Sequence, residues 1–500
     1  MPILVIFTLA ALCMPAPWPA PPFGFGPVGS AALALAAVAV PLIAAFALRV
    51  WAIRGVRRAP ERHYEIEATY GRVRHLLFFV NVGAAVVAVI GLGWGHTVRS
   101  SLLIDHGTER VLAPFAELLV PLPYFLILFG CWLTHYDAER TLHRATAAGP
   151  VDRPFWSRAG YVFQHLRKLS LFVGLPVGLL VVSQTVSRFA PETSRSEWYK
   201  FGSLGLAPFV LILFPLLIKP ILGLEKLPPG PARDRFEALA KRLNFRCRDF
   251  LLWPTHGSVL NAVITGVIPR TRYVVFTDRI LSEMPPDELD GVLGHEIGHA
   301  KHGHLWHYLA FLTLSIAVIA AGCLYLGEQL DAAGVRVPQE YAGWLVLPPV
   351  MVVFAYLFVV FGFLSRRCER QADVYGCKAV SCGNPNCTGH DETTSYPPGG
   401  TSLCPTGIRT FARGLDRVGG GDPFGKRGVV RAVFAWLRAW QHFTMPRRVA
   451  FLLSLIDDPS REPRFQRRVR VLRWGLLLGL AALLVVLGET VGWRELLKVL

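Results

Sequence analysis

The sequence predicts a mainly α-helical, polytopic membrane protein with a polar domain that one pair of spans interrupts. Three observations carry this. Apolar residues make up 52% of the 500-residue chain, with a mean hydropathy of +0.40, which exceeds what a soluble core requires. Apolar runs close to the roughly twenty residues that cross a bilayer recur along the chain. The loops between them alternate between strongly basic and weakly charged, as the two sides of a membrane demand.

In chain order, the prolines between Pro15 and Pro27 stop the first short apolar run, so the N-terminus is expected to be a re-entrant or interfacial lead-in. Spans are then expected near Ala31 to Leu48, Leu76 to Trp94, Val111 to Leu133, Leu169 to Val186 and Leu204 to Leu222. Three more follow near Leu305 to Leu326, Trp344 to Leu364 and Trp474 to Leu487, giving about eight. Arginines crowd the loop after the first span (Arg49, Arg54, Arg57, Arg58) and the loop after the third (Arg140, Arg144, Arg153). The segments after the fifth and seventh open on "EKLPPGPARDRF" and "SRRCERQ". The even-numbered loops, such as "EQLDAAGVRVPQEY", are not basic. By the rule that cytoplasmic loops collect Lys and Arg, both polar segments face the cytoplasm.

This organisation divides the chain into an N-terminal membrane domain over 1–224, a first polar part over 225–304 and a spanning hairpin over 305–364. A second polar part over 365–471 and a C-terminal span with its tail over 472–500 complete it. The formal charge of +17 belongs to these loops rather than to one basic helix, so the lipid bilayer is the expected partner and nucleic acid is not.

The chemistry concentrates in "LGHEIGHAKHGH", directly before the sixth span. His295 and His299 stand four residues apart, so on a helix both imidazoles leave one face and can share a cation. Glu296 lies beside the first, placed to act as a base on an attacking water. The preceding "PPDELDGVL" has Pro and acidic residues where a helix should start. A catalytic zinc needs a third protein ligand. Glu369 in "SRRCERQADVYG" supplies one from the same side of the membrane, and Asp373, one turn later, can orient a ligating histidine. His302, His304 and His307 are expected to be helix-end residues that pack or meet water.

"GHEIGHAKHGH", two spans and then "SRRCERQAD" resemble the M48 family of integral-membrane zinc peptidases, which includes the Ste24-type CAAX prenyl proteases and the HtpX-type proteases. "NAVITGVIPRTRYVVFTDRIL" is similar to the family's NAxxxG segment and the strand after it. "WQHFTMPRRVAFLLSL" is similar to its late segment. The resemblance covers roughly Glu225 to Asp458. It implies a cytoplasmic zincin-like metallopeptidase domain with a small edge β-strand region, one catalytic Zn2+ on His295, His299 and Glu369, and Glu296 as general base. It further implies that Asn261 and Ala262 hold an extended peptide substrate, and that His442 and Arg448 stabilise the oxyanion or the substrate backbone. The expected partner is a protein or peptide at the membrane. Five spans ahead of the motif favour the Ste24 branch, and HtpX-like quality control is the alternative. A metal transporter or sensor is the alternative of another class; it would require ionisable residues inside the spans, which are almost free of Asp, Glu, His and Lys.

A Cys-rich insertion follows the third ligand and is not part of the family pattern. Cys377, Cys382, Cys387 and Cys404, with His390 among them, either form a tetrahedral structural metal site or remain reduced thiols in a loop. Their spacing differs from the paired CxxC of common zinc ribbons.

Overall fold

The computed structural model describes residues 24–102, 119–146, 154–174, 190–196, 212–335, 355–384, 386–390, 402–419 and 444–499, with scattered positions at 178, 182, 186, 199, 352 and 353. The chain falls into two compact units, one from residues 1–203 with 334–354 and one from 204–333 with 355–500.

In the first unit α1 (Pro27–Arg58), α2 (His63–Val86) and α3 (Leu122–Thr146) pack around Val38, Ala45, Ala85, Val89, Tyr124 and Ile127. Arg49 and Arg158 share the carboxylate of Asp137 at 2.5 and 2.9 Å.

In the second unit a short apolar helix, Ile212–Leu222, leads into β1 (Glu225–Lys226), α4 (Pro231–Arg242), β2 (Asp249–Trp253), β3 (Ala262–Thr265) and β4 (Tyr273–Thr277). The sheet order is β1-β2-β4-β3, with β2 parallel to β4 and β3 antiparallel to it, pairing Ala262 with Phe276 and Ile264 with Val274. The helices α5 (Pro286–Lys301), α6 (His304–Ala332), α7 (Gly362–Ala379), α8 (Pro405–Gly419), α9 (Met445–Asp457) and α10 (Arg461–Val491) follow. Phe236, Phe250, Val274, Phe276, Leu293 and Ile297 form the core between sheet and α5.

Four helices among the described residues are long and apolar enough to cross a membrane: Pro27–Arg58, Pro60–Gly91, His304–Ala332 and Arg461–Val491. These contain the first, sixth and eighth expected spans and all but the last three residues of the second, and the chain is a multi-pass membrane protein. The C-terminal part of the expected third span lies in α3, which runs on through the polar Thr134–Thr146 half that an apolar run alone does not include. The third, fourth, fifth and seventh fall partly outside the described residues, as does the N-terminal lead-in up to residue 23. The eighth span begins earlier than its apolar run, since α10 carries a basic first half from Arg461 to Arg473 that docks on the polar domain.

Candidate metal centre

The site is built where α5 crosses α7, and glycine sets how closely they approach. A Cβ on Gly298 would stand 2.8 Å from Tyr375 Cβ and 3.1 Å from Ala372 Cα, and one on Gly294 would overlap Ala379 Cβ. With no side chain at these positions, α7 lies directly on the helix that carries "HEIGH" and delivers Glu369 to the two histidines. Buried acids anchor α5 elsewhere: Asp290 accepts from Arg235 at 2.9 Å, and Glu288 from Arg417 at 2.8 and 3.3 Å.

His295 Nε2 and His299 Nε2 are 3.2 Å apart, and the Glu369 carboxylate lies 3.8 Å from the first and 3.6 Å from the second. Tetrahedral zinc with N and O ligands has ligand–ligand edges of about 3.3–3.6 Å. The three groups thus outline one face of such a polyhedron, and the fourth position is left to water or substrate.

The neighbours of the two rings show what that face is for. Arg473 can only donate, and its Nη1 lies 3.2 Å from Gln371 Oε1, which fixes that amide oxygen as an acceptor. His304 Nε2, 3.1 Å from the same oxygen, therefore donates, and the neutral ring's Nδ1 must accept. His299 Nδ1, 2.9 Å away, is the donor to it, leaving the lone pair of His299 on Nε2. Likewise His295 Nδ1 sits 3.0 Å from the buried carboxylate of Asp373. Both Nε2 lone pairs then face each other beside a carboxylate, a repulsive arrangement that a shared cation reverses. The donor set fits zinc.

His304 is completely buried at the first position of α6, so of the two outcomes expected for a helix-end histidine it packs, and it does so against His299. The chain breaks after α5 at His302, turns through Gly303 with φ of 64° and restarts at His304. That kink, which no helical spacing anticipates, swings the His304 ring under His299. Gln371 and Arg473 escaped sequence reasoning for the same reason, as each reaches the site from a different helix.

Asp373 is held in turn by Arg448 on α9. Arg448 Nε donates to Asp373 Oδ2 at 2.8 Å, Nη2 donates to Oδ1, and Nη2 also lies 3.7 Å from Glu369. Burial opposes ionisation of Asp373, but the Arg448 guanidinium and His295 hold it below the usual carboxylate range. At His295 burial disfavours the imidazolium, yet the hydrogen bond and charge of Asp373 raise its pKa on balance. The Arg448 guanidinium is buried beside both carboxylates, with its Nη1 3.6 Å from the Met445 sulfur. His442 lies outside the described residues.

Glu296 is buried and accepts from the backbone N–H of Ile264 at 2.8 Å. Alternate residues of a strand direct their backbone groups to opposite edges. Asn261 is bonded to Thr277 on the β4 side, so Ala262 and Ile264 aim their amides at the open edge facing α5. The structure thus brings Ala262 to the site through its backbone and turns the Asn261 backbone away from it.

The insertion differs from expectation in one member. Cys377 is buried in α7 among Val374, Val380, Ile408 and Phe411, too far round the helix to join the other thiols. The group that does converge is Cys382, Cys387, His390 and Cys404, with all ligand atoms within 4.8 Å of one another.

Residues 231–388 match the family model for peptidase family M48. That segment belongs to peptidase family M48. The CAAX prenyl protease 1 homolog of Arabidopsis thaliana is 25% identical to this chain over 218 residues, covering 42% of this chain and 50% of its own length. The Protease HtpX homolog of Methanocaldococcus jannaschii is 31% identical over 126 residues, 24% of this chain and 42% of its own. The chain spans about half the length of the curated relatives it matches. The crystal structure of S. mikatae Ste24p superposes with a TM-score of 0.52 at 14% identity, covering 83% of this chain and 98% of that one. At that identity the likeness is one of fold. The M48 segment holds His295, His299, Glu369 and Asp373, but ends before His390 and Cys404 of the second cluster.

Proposed function

We propose that the chain is a zinc-dependent endopeptidase that hydrolyses peptide bonds in membrane-associated proteins or peptides, with its active site at the cytoplasmic face. The observation that carries this reading is the convergence of two histidine lone pairs and the Glu369 carboxylate beside Glu296. Zinc bound there supplies a Lewis acid and makes water nucleophilic at neutral pH. His295, His299 and Glu369 would hold it, and the Asp373–His295 and His304–His299 contacts keep both rings in the ligating tautomer.

Glu296 takes the proton from the attacking water and returns it to the leaving amine. The open edge of β3 holds the substrate extended through the amides of Ala262 and its neighbours, so side chains on alternate residues reach the site while the scissile bond lies along α5. Arg448 keeps Asp373 ionised, and His442, from the late segment, would contact the substrate or its oxyanion. Spans beside the site confine its substrates to chains at the bilayer surface, and the basic loops on both sides of the polar domain support a cytoplasmic address.

The fold favours a Ste24-like role in cutting prenylated peptides. The identity to the Protease HtpX homolog favours the second reading, cleavage of misfolded membrane proteins. Purified protein in detergent should cleave a prenylated CAAX peptide, and Glu296→Gln should not. Cleavage of unfolded membrane proteins alone would favour the second role, and full activity of Glu296→Gln on every substrate would refute the mechanism.

A further inference from the structure

Beyond the catalytic centre, we propose that Cys382, Cys387, His390 and Cys404 form a second, structural zinc site that clasps the connection between α7 and α8. The site is independent of the reaction proposed above, and two of its four members, His390 and Cys404, lie beyond the family segment.

The geometry is that of a single ion. His390 Nδ1 lies 3.2 Å from Cys387 Sγ and 3.8 Å from Cys404 Sγ. Zinc–sulfur and zinc–nitrogen bonds of about 2.3 and 2.0 Å give tetrahedral edges of about 3.5 Å for S···N and about 3.8 Å for S···S. An iron–sulfur cluster holds its ligands farther apart, around more than one metal.

The surroundings orient each ligand. His390 Nε2 lies 3.0 Å from the carbonyl of Val380, which can only accept, so the ring carries its proton there and turns a bare Nδ1 toward the thiols. Cys404 precedes α8 in the N-cap position, where Ile408 N–H donates to its carbonyl at 3.1 Å, and Gly407 N–H donates to its sulfur at 3.2 Å. The Cys404 amide is tied to Ser381 Oγ at 3.1 Å, and Ser381 Oγ donates to the Cys377 carbonyl at 2.7 Å. Three sulfurs and a lone-pair nitrogen, converging with their backbone partners already in place, match a soft four-coordinate cation rather than scattered thiols.

The clasp also has something to hold. It fixes the start of α8, and Phe411 two turns later fills the gap beside Gly291 and Gly376, with its ring stacked at 6.1 Å on His295. Eleven residues, "DETTSYPPGGT", separate His390 from Ser402 in the sequence, and one ion would tie Cys382, Cys387 and His390 on one side of them to Cys404 on the other.

The test is metal analysis and spectroscopy of the full-length protein in detergent. Wild type should contain about two zinc ions per chain, and the Glu369→Ala variant, stripped at the catalytic centre, about one. Adding Cys404→Ser should remove the second. Cobalt-loaded Glu369→Ala should show thiolate-to-metal charge-transfer and the intense visible bands of tetrahedral cobalt. In wild type without any substitution, mass-mapped alkylation should spare Cys382, Cys387 and Cys404 until a chelator is added, which keeps the test valid if a variant fails to fold. Zinc-free Glu369→Ala, a cobalt spectrum lacking thiolate bands, iron in place of zinc, a disulfide among the three cysteines, or chelator-independent alkylation would each overturn the proposal.

Discussion

Replacing Arg448 by Met tests the account of how the ligand shell is held. Arg448 and Asp373 are 4% and 0% exposed, and both carboxylate oxygens receive the guanidinium. Removing one partner of a buried ion pair costs about 3–5 kcal/mol, because the other charge stays desolvated without compensation. Replacing both partners by apolar residues costs far less, so Arg448→Met/Asp373→Leu should recover most of the lost stability. Zinc affinity should behave differently. In the double variant His295 Nδ1 loses its carboxylate, 3.0 Å away in the native protein, and loss of such an outer-shell partner weakens binding by about 10–100-fold. The assay is denaturant unfolding of zinc-stripped protein in detergent, paired with chelator competition for zinc on the same samples. Stability should fall and then recover across the series while affinity stays low. A single variant within about 0.5 kcal/mol of wild type, the behaviour of a surface residue, would refute the buried-pair argument.

Four further outcomes are expected. His304→Ala should weaken zinc binding by about 10–100-fold with little change in fold, seen in the same chelator competition, because His299 loses the acceptor that fixes its tautomer. Gly298→Ala gains about 1 kcal/mol of helix propensity, but its Cβ at 2.8 Å from Tyr375 Cβ should cost about 1–3 kcal/mol through overpacking, read as a net fall in unfolding stability together with lost zinc. Glu296→Gln should keep its metal by elemental analysis while hydrolysis falls below detection. Ile264→Pro removes the N–H donated to Glu296 and stiffens the open strand edge, so kcat/KM should drop while the metal content stays at the wild-type level.

Much of the centre was legible because its parts are local. The i, i+4 spacing of His295 and His299, and of Glu369 and Asp373, follows from helical periodicity alone, as does the placement of Pro286 at the start of α5. The apolar runs that became α1, α2, α6 and the second half of α10 were readable from hydropathy, because a bilayer imposes one length and one polarity on any spanning helix. The distinction between Cys377 and the converging Cys382, Cys387 and Cys404 was not readable, because it depends on which face of α7 meets α8.

The sequence by itself therefore determined the membrane character, the grouping of His295, His299 and Glu369, and the family that residues 231–388 match. Only the tertiary structure decided which groups complete the centre: the glycines that let α5 and α7 touch, the relay from Arg473 through Gln371 and His304 to His299, and the Arg448 clamp on Asp373. The physical reason is range. Helical and bilayer periodicities act over a few residues, whereas the lone pairs of His295 and His299 are aimed by hydrogen bonds and ion pairs between side chains up to 102 positions apart.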